Sequence, residues 1–289
     1  MKRKNLIGIV LGSGLFLSGF IIPGNLALYF NLSGWLIVFG GTAAAALFSF
    51  KAEQMENVIR VLRAAYRRPV PRETEIINIL IDLSIRSRVE GILTLQKHEN
   101  ETTILFLRRA LGCLVDGYKI EQIRDILNTE MYFFRLRRED SERVIRAIAD
   151  YLPAFGMMGS VVGLIAMLGG IGDTTVILQA IPVALTSTLY GLIFSNFFFL
   201  PFAATVRERT NHELLLQKII MEGVIAINSE VNPVILKTKL ESFLTPSERE
   251  SELVSYAKIR ERFNIHREQL RAGEEGEGDE EGREESRQG

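Results

Sequence analysis

The hydrophobic residues of this 289-residue chain fall into two blocks that are separated by charged stretches. The first block contains two apolar segments, at 6–22 and at 26–50, joined by a Pro-Gly-Asn sequence at 23–25. About 20 apolar residues are needed to cross the hydrocarbon core of a membrane, and proline, glycine and asparagine favour turns. The pattern predicts a transmembrane helical hairpin over 1–50.

A secretory signal peptide is another interpretation of this start, because Lys2, Arg3 and Lys4 precede the first apolar segment. No cleavage site of the Ala-x-Ala kind follows that segment, and the second apolar segment comes at once. Both observations favour an inserted hairpin over a signal that is removed.

The second hydrophobic block predicts another pair of transmembrane helices, over 151–206. Residues 151–170 are apolar, a glycine-rich sequence at 169–174 supplies a turn, and the apolar pattern resumes at Val176. Together with the hairpin, this block predicts an all-α membrane protein with four transmembrane helices.

The charged stretches predict helical regions outside the membrane. Residues 51–150 contain 18 Lys or Arg and 16 Asp or Glu, interspersed with Leu and Ile at helical spacing, which is typical of a large helical domain. Residues 207–272 continue as a charged helical region. The Glu- and Gly-rich residues 273–289 predict a disordered acidic tail.

The distribution of positive charge predicts the orientation in the membrane. Lys and Arg occur in the N-terminal cluster, in 51–150 and from Arg207 onwards, whereas the turns near 23–31 and 169–175 contain none. Because basic loops stay on the inner side of a membrane, we expect both termini and the large helical domain to be cytoplasmic.

Composition and motifs argue against several classes of function. The net charge of −1 gives no basis for binding nucleic acid, and the single cysteine, Cys113, excludes an internal disulfide and a CxxC site. The chain has no Walker A, GxSxG, HExxH or Rossmann glycine motif, and its histidines are widely separated: His98, His212 and His266. We therefore predict no enzyme, no cofactor and no metal site.

Small and hydroxyl-bearing residues recur at helical spacing along both helices of the second block. Close helix packing of the small-xxx-small kind is the role we assign to one set of them: Gly156, Gly159, Gly163, Ala184, Gly191 and Ser195. The hydroxyls of Ser160, Ser187 and Thr188 are candidates for lining an ion path. An ion path normally needs a carboxylate or other polar carrier at depth, yet between Tyr151 and Thr205 the only ionisable side chain besides tyrosine is Asp173, in the turn.

Two prolines lie at the cytoplasmic ends of the third and fourth predicted helices, Pro153 and Pro201. Each removes a backbone donor and loosens the helix locally. One interpretation is a helix start and a tolerated kink. The other is a pair of hinges between the membrane helices and the cytoplasmic domain.

Several motifs follow one another in a fixed order. They are LSGWLIVFGGT at 32–42, VEGIL at 89–93, LVDG at 114–117, PAFGMMGSVVGL at 153–164, VALTSTLYG at 183–191, FLP at 199–201, EGVIAI at 222–227 and Asn-Pro at 232–233. In this order they resemble the MotA/PomA family, within the MotA/TolQ/ExbB group of ion-driven motor proteins. The resemblance extends to about residue 247.

The resemblance implies a subunit of the flagellar motor stator in the bacterial inner membrane. It implies a homopentamer around a dimer of single-span B subunits of the MotB/PomB kind, and those B subunits carry the transmembrane aspartate that binds the ion. Inward flow of protons, or of sodium, is then expected to turn the ring and drive the flagellar rotor, the C-ring.

The resemblance also places rotor contacts around the VEGIL motif, at Arg86, Arg88, Lys97 and Glu99. Val89 and Gln96 depart from the family there, since a basic and an acidic residue are usual at those positions. The hydroxyls in the second block resemble the sodium-type arrangement, although proton-type members carry hydroxyls there too, and the frequency of proton types in the group favours protons.

Two other functions stay open at this point. An ExbB/TolQ-type energiser of outer-membrane processes belongs to the same group, but it typically has three spans and an N-terminus outside, so the hairpin and the large loop favour the stator. A passive membrane scaffold that only recruits partners would have no need of Pro153 or Thr188.

Overall fold

The structure is a computed structural model, and it describes residues 3–22, 24–67, 70–96, 102 and 104–246. All regular secondary structure within these ranges is helical, which confirms the all-α prediction. The chain divides into two compact units, which we call unit 1 and unit 2. Unit 1 consists of Met1–Tyr66 and Arg138–Arg207, and unit 2 consists of Arg67–Arg137 and Glu208–Gly289.

Unit 1 begins with two helices in the region of the predicted hairpin, α1 (Arg3–Ile21) and α2 (Leu32–Ser49). Between them, Leu26–Tyr29 forms a single 3-10 turn. The second helix therefore begins at Leu32 rather than at 26. It begins there because the side chain of Asn31 accepts a hydrogen bond from the backbone nitrogen of Gly34, as a helix cap does.

The third helix, α3 (Ala52–Arg67), is amphipathic and buries Val58 and Ala65. Val58 belongs to an apolar core shared with α2 and with parts of the later helices of unit 1. The sequence predicts one cytoplasmic domain over 51–150, whereas the structure groups residues up to Tyr66 with unit 1. The buried face of α3 explains the difference, because an apolar stripe is stable only against a partner.

Among the described residues of unit 2 are the shorter helices α4 (Glu73–Glu90), α5 (Leu105–Val115) and, near the end of the described chain, α8 (Pro233–Glu241). The helix α3 ends at Arg67, and α4 begins at Glu73. The fully buried side chains of this unit form one core that includes Ile76, Leu80, Leu107, Leu111, Ile123, Leu127, Ile219 and Leu236.

Two long helices contribute to both units, α6 (Ile120–Gly169) and α7 (Thr174–Asn228). The turn between them is confirmed, and Asp173 caps α7 by accepting a hydrogen bond from the backbone nitrogen of Thr175 at 2.9 Å. The third predicted span is therefore part of a longer helix, and Pro153 lies in the interior of α6. This placement rules out a helix start at Pro153.

Within the described residues, three helices are long and apolar enough to cross a membrane: Leu32–Ser49, Ile120–Gly169 and Thr174–Asn228. The apolar part of α1, Val10–Ile21, is shorter. Large apolar side chains on these helices are exposed, among them Leu15, Phe48, Ile165 and Leu185. Extensive apolar exposure of this kind indicates contact with lipid or with apolar partners.

Candidate functional site

The rows of small residues on α6 and α7 lie against each other. A Cβ atom built on Gly163 would be 2.6 Å from the backbone nitrogen of Ala184, and one built on Gly191 would be 2.5 Å from the carbonyl oxygen of Leu152. Neither position has room for a side chain. The small residues therefore allow the backbones of the two helices to approach closely.

Ser187 lies inside this contact rather than on its surface. The residue is 0% exposed, and Cβ atoms built on Gly159 and Gly34 would be 2.5 Å and 2.9 Å from its hydroxyl oxygen. That hydroxyl donates within its own helix to the carbonyl of Val183, at 2.6 Å. Ser187 therefore packs from α7 against α2 and α6, and its role in lining the ion path stays a prediction.

Ser160 and Thr188 form a pair of hydroxyls at the same contact. The two hydroxyls are hydrogen-bonded to each other across the helices. The Ser160 hydroxyl also donates to the carbonyl of Ala184, and the Thr188 hydroxyl lies 3.3 Å from the carbonyl of Gly156. Both side chains are half-buried, so this hydroxyl pair stays accessible. Each hydroxyl oxygen has two acceptor lone pairs, which suits contact with water or a cation.

The hydroxyl pair contains no group that titrates near neutral pH. Asp173 lies in the turn that precedes α7 and is fully exposed. A hydrogen bond from the side chain of Thr175, and a weaker contribution from its backbone, lower the pKa of the Asp173 carboxyl group. Asp173 therefore stays ionised and caps α7. In the part of the chain that the structure describes, no three His, Cys, Asp or Glu residues are grouped so that they can hold a metal.

The two prolines lie in different local structures. Pro153 is within regular α-helix, whereas Pro201 follows a π-helical turn in α7, Ser195–Phe199. A π-helical turn is wider than an α-helical one, so the backbone of α7 can adjust there to the absence of an N–H on Pro201. Ser195, which the sequence assigned to packing, is buried and donates its hydroxyl hydrogen to the carbonyl of Ala149 on α6.

Arg86 and Arg88, which were predicted to contact the rotor, lie in the last turns of α4, where both are exposed. The guanidinium group of Arg88 donates to the carbonyl of Glu230, directly after the end of α7. Arg88 therefore also holds together two elements of unit 2. Lys97 and Glu99 lie outside the described residues.

Two polar residues have structural roles that the sequence does not predict. The hydroxyl of the buried Tyr190 accepts a hydrogen bond from the backbone of Asn31 at 2.7 Å and donates one to the carbonyl of Tyr29. It thereby fixes the connection between α1 and α2 against α7. A lone tyrosine in an apolar run is a signal for such a bond, because its hydroxyl needs a partner when buried.

The other such residue is Glu222, which lies among cations in unit 2. Its carboxylate is 2.7 Å from the ammonium of Lys239, 3.3 Å from that of Lys218 and 3.8 Å from the guanidinium of Arg124. Burial alone would raise the pKa of Glu222, but hydrogen bonds and charge from the two lysines outweigh it and lower the pKa. The Lys218–Glu222 spacing of four residues was the signal available in the sequence.

The chain is similar to several known proteins. Residues 98–218 match the MotA/TolQ/ExbB proton channel family. The chain is 32% identical to motility protein A of Borreliella burgdorferi, over 86% of this chain and 96% of that protein. It is 30% identical to chemotaxis protein PomA of Vibrio alginolyticus, over 88% and 99%. The structure of the flagellar MotAB stator complex from Bacillus subtilis contains a chain that superposes with a TM-score of 0.78, at 27% identity, over 85% and 97%.

Proposed function

The chain belongs to the MotA/TolQ/ExbB proton channel family, and we propose that it acts as the A subunit of a flagellar motor stator, coupling inward ion flow to torque on the rotor. The observation that carries this function is a match over 97% of a chain from a MotAB stator complex. Relatives named for motility align over nearly their whole length as well. These matches favour the stator over an ExbB/TolQ-like energiser and over a passive scaffold.

In this proposal the chain crosses the bacterial inner membrane four times. The spans are α1, α2 and the apolar parts of α6 and α7, within the regions 1–50 and 151–206. Both termini, the region 51–150 and the region from 207 onwards are cytoplasmic, in keeping with their basic residues. For the acidic residues 273–289 we propose no role beyond that of a polar, solvent-exposed extension.

The ion carrier in this proposal comes from a partner. The hydroxyl pair supplies oxygen atoms but no carboxylate, and a proton or sodium path needs a group that binds the ion and releases it. A dimer of single-span B subunits, inside a homopentamer of this chain, supplies that aspartate. The hydroxyls of Ser160 and Thr188 then face the partner helix and the hydrated ion.

Movement is transmitted to the rotor through the cytoplasmic part of the chain. Pro153 and Pro201 serve as hinges where the apolar parts of α6 and α7 give way to charged sequence. Arg86 and Arg88, with Lys97 and Glu99, contact the C-ring, because exposed charges steer and orient a partner.

Deletion of the gene for this chain tests the proposed function. In a strain with no other A subunit, we expect normal flagellar filaments that do not rotate, because a stator is needed for torque and not for filament assembly. Swimming that persists at the normal speed would refute the proposal.

The swimming speed measured against external sodium, at fixed proton-motive force, identifies the ion, since the speed of a proton-driven motor does not depend on sodium.

A further inference from the structure

Pro153 leaves a backbone carbonyl of α6 without its usual donor. In an α-helix the N–H of each residue donates to the carbonyl four residues earlier, and proline has no N–H. The carbonyl affected by Pro153 is that of Ala149, which is itself buried and lies in sequence between Ile148 and Leu152, two residues of the apolar core of unit 1. A buried carbonyl without a donor is costly, and more so away from water.

Ser195 of α7 supplies the missing hydrogen bond. Its hydroxyl oxygen is 2.7 Å from the carbonyl oxygen of Ala149, and Ser195 is only 4% exposed. Three other hydroxyls on α7, those of Thr186, Ser187 and Thr205, donate to the carbonyl four residues earlier in their own helix, whereas Thr188 reaches across to Ser160 and Gly156. Ser195 instead reaches across to the one carbonyl that the proline of the neighbouring helix has released.

The backbone around Ser195 is arranged for this contact. Gly191, one turn earlier in α7, lies so close to α6 that an added Cβ atom would be 2.5 Å from the carbonyl oxygen of Leu152 and 3.0 Å from the Cα atom of Pro153. Ser195 is also the first residue of the π-helical turn of α7. Close approach and a widened turn therefore coincide at the position where the hydroxyl crosses between helices.

We propose that Ser195 is a positioning residue for torque generation, because its hydroxyl replaces the hydrogen bond that Pro153 removes and holds α6 against α7 at the hinge. Pro153 and Ser195 then act together. The proline removes a backbone hydrogen bond within α6, and the serine holds that part of α6 in position against α7. The functional half of this inference rests on the proposed stator function. The hydrogen-bond half does not.

A double-mutant cycle with Ser195→Ala and Pro153→Ala tests the hydrogen-bond half. An alanine at position 153 restores an N–H that the Ala149 carbonyl can accept, so Ser195 is no longer needed in that background. The readout is the half-life, at fixed temperature, of the detergent-extracted stator complex assembled with its partner. We expect Ser195→Ala to shorten this half-life about threefold in the wild-type chain, as expected for one interhelical hydrogen bond in a membrane protein, and to have no effect beside Pro153→Ala.

An equal loss in both backgrounds would overturn the proposal, as would no loss in either. If the Ser195→Ala variant does not accumulate in the membrane at all, the double variant is decisive. The proposal requires the double variant to accumulate, and its failure to do so would contradict the dependence of Ser195 on Pro153. Ser18→Ala is the matched control, since the Ser18 hydroxyl donates to Leu15 in its own helix. We expect Ser18→Ala to change neither the half-life nor motility.

Rotation of tethered cells tests the functional half. We expect Ser195→Ala to lower the rotation speed at least twofold at equal amounts of chain in the membrane. Unchanged rotation, together with a positive double-mutant cycle, would overturn the role in torque while leaving the hydrogen bond in place. If the chain is not a stator at all, its deletion leaves rotation intact, and this result separates the two failures.

Discussion

The hydroxyl groups of Ser160 and Thr188 are hydrogen-bonded to each other across the contact between α6 and α7. At this pair, both helices present half-exposed side-chain oxygens to the proposed ion path. The pair is formed because small neighbours, Gly163 and Gly191 among them, bring the backbones together.

Replacing Thr188 with valine tests the role of the hydroxyl pair. Thr188→Val keeps the shape of the side chain and removes its hydroxyl, so the Ser160 hydroxyl keeps only backbone carbonyls as partners, those of Ala184 and Gly156. We expect the swimming speed to fall more than tenfold while the amount of chain in the membrane is unchanged. Thr188→Ser, which retains a hydroxyl, is the control and keeps most of the motility. Normal swimming of the valine variant would remove the pair from the ion path.

Adding a methyl group to Gly163 tests the close approach of the helices. A Cβ atom there would be 2.6 Å from the backbone nitrogen of Ala184, so the helices have to separate. We expect Gly163→Ala to lower the free energy of unfolding of the extracted protein by about 1–3 kcal/mol, in the range of overpacking. Gly169→Ala is the control, because nothing lies within 4 Å of its added Cβ atom. Equal stability of the two variants would contradict the contact.

Removing the hydroxyl of Thr42 is expected to stabilise the protein, unlike the change at Gly163. Its oxygen is buried and, among the described residues, finds no hydrogen-bond partner, while Val38 and Ala46 on either side belong to the apolar core of unit 1. Burying such a hydroxyl costs about 1–3 kcal/mol. We therefore expect Thr42→Val to raise the thermal unfolding temperature. A clear fall in that temperature would show that the hydroxyl has a partner in the assembled protein.

The cations around Glu222 predict how stability depends on pH. Its pKa is lowered in the folded protein, with burial opposing the stronger effect of Lys239 and Lys218. A carboxyl group whose pKa is lower in the folded state contributes stability above its unfolded pKa, and that stability is lost as the pH falls through the folded pKa. We expect Glu222→Gln to be less stable than the wild-type chain at pH 7, and the difference to shrink below about pH 4. Thermal unfolding of both proteins between pH 7 and pH 3 measures it, and a constant difference would contradict the assignment.

The rows of small residues could be predicted from sequence because their spacing reflects the geometry of a single helix. The direction in which each hydroxyl points could not. Ser187 and Thr188 are neighbours in the sequence, yet Ser187 is buried. It packs against Gly34 of α2, which is far away in the sequence and leaves room for the Ser187 hydroxyl. Contacts between segments so far apart in the chain have no local signature in the sequence.

Helix boundaries show a similar division. The turn before α7 was evident, since a glycine-rich sequence between two apolar segments is a local signal. The continuity of α6 through Pro153 was not evident, because the donor that compensates for the proline is Ser195, on another helix. The later start of α2 likewise depends on capping by Asn31.

In the proposed function this chain forms the torque-generating ring but needs a carboxylate from a partner. The most direct test is the rotation speed of tethered cells that lack all other stators and express this chain alone, the B-type partner alone, or both. We predict rotation only when both are present, and none when the partner's transmembrane aspartate is replaced by asparagine. Rotation driven by this chain alone, or full rotation with the asparagine variant, would contradict the account.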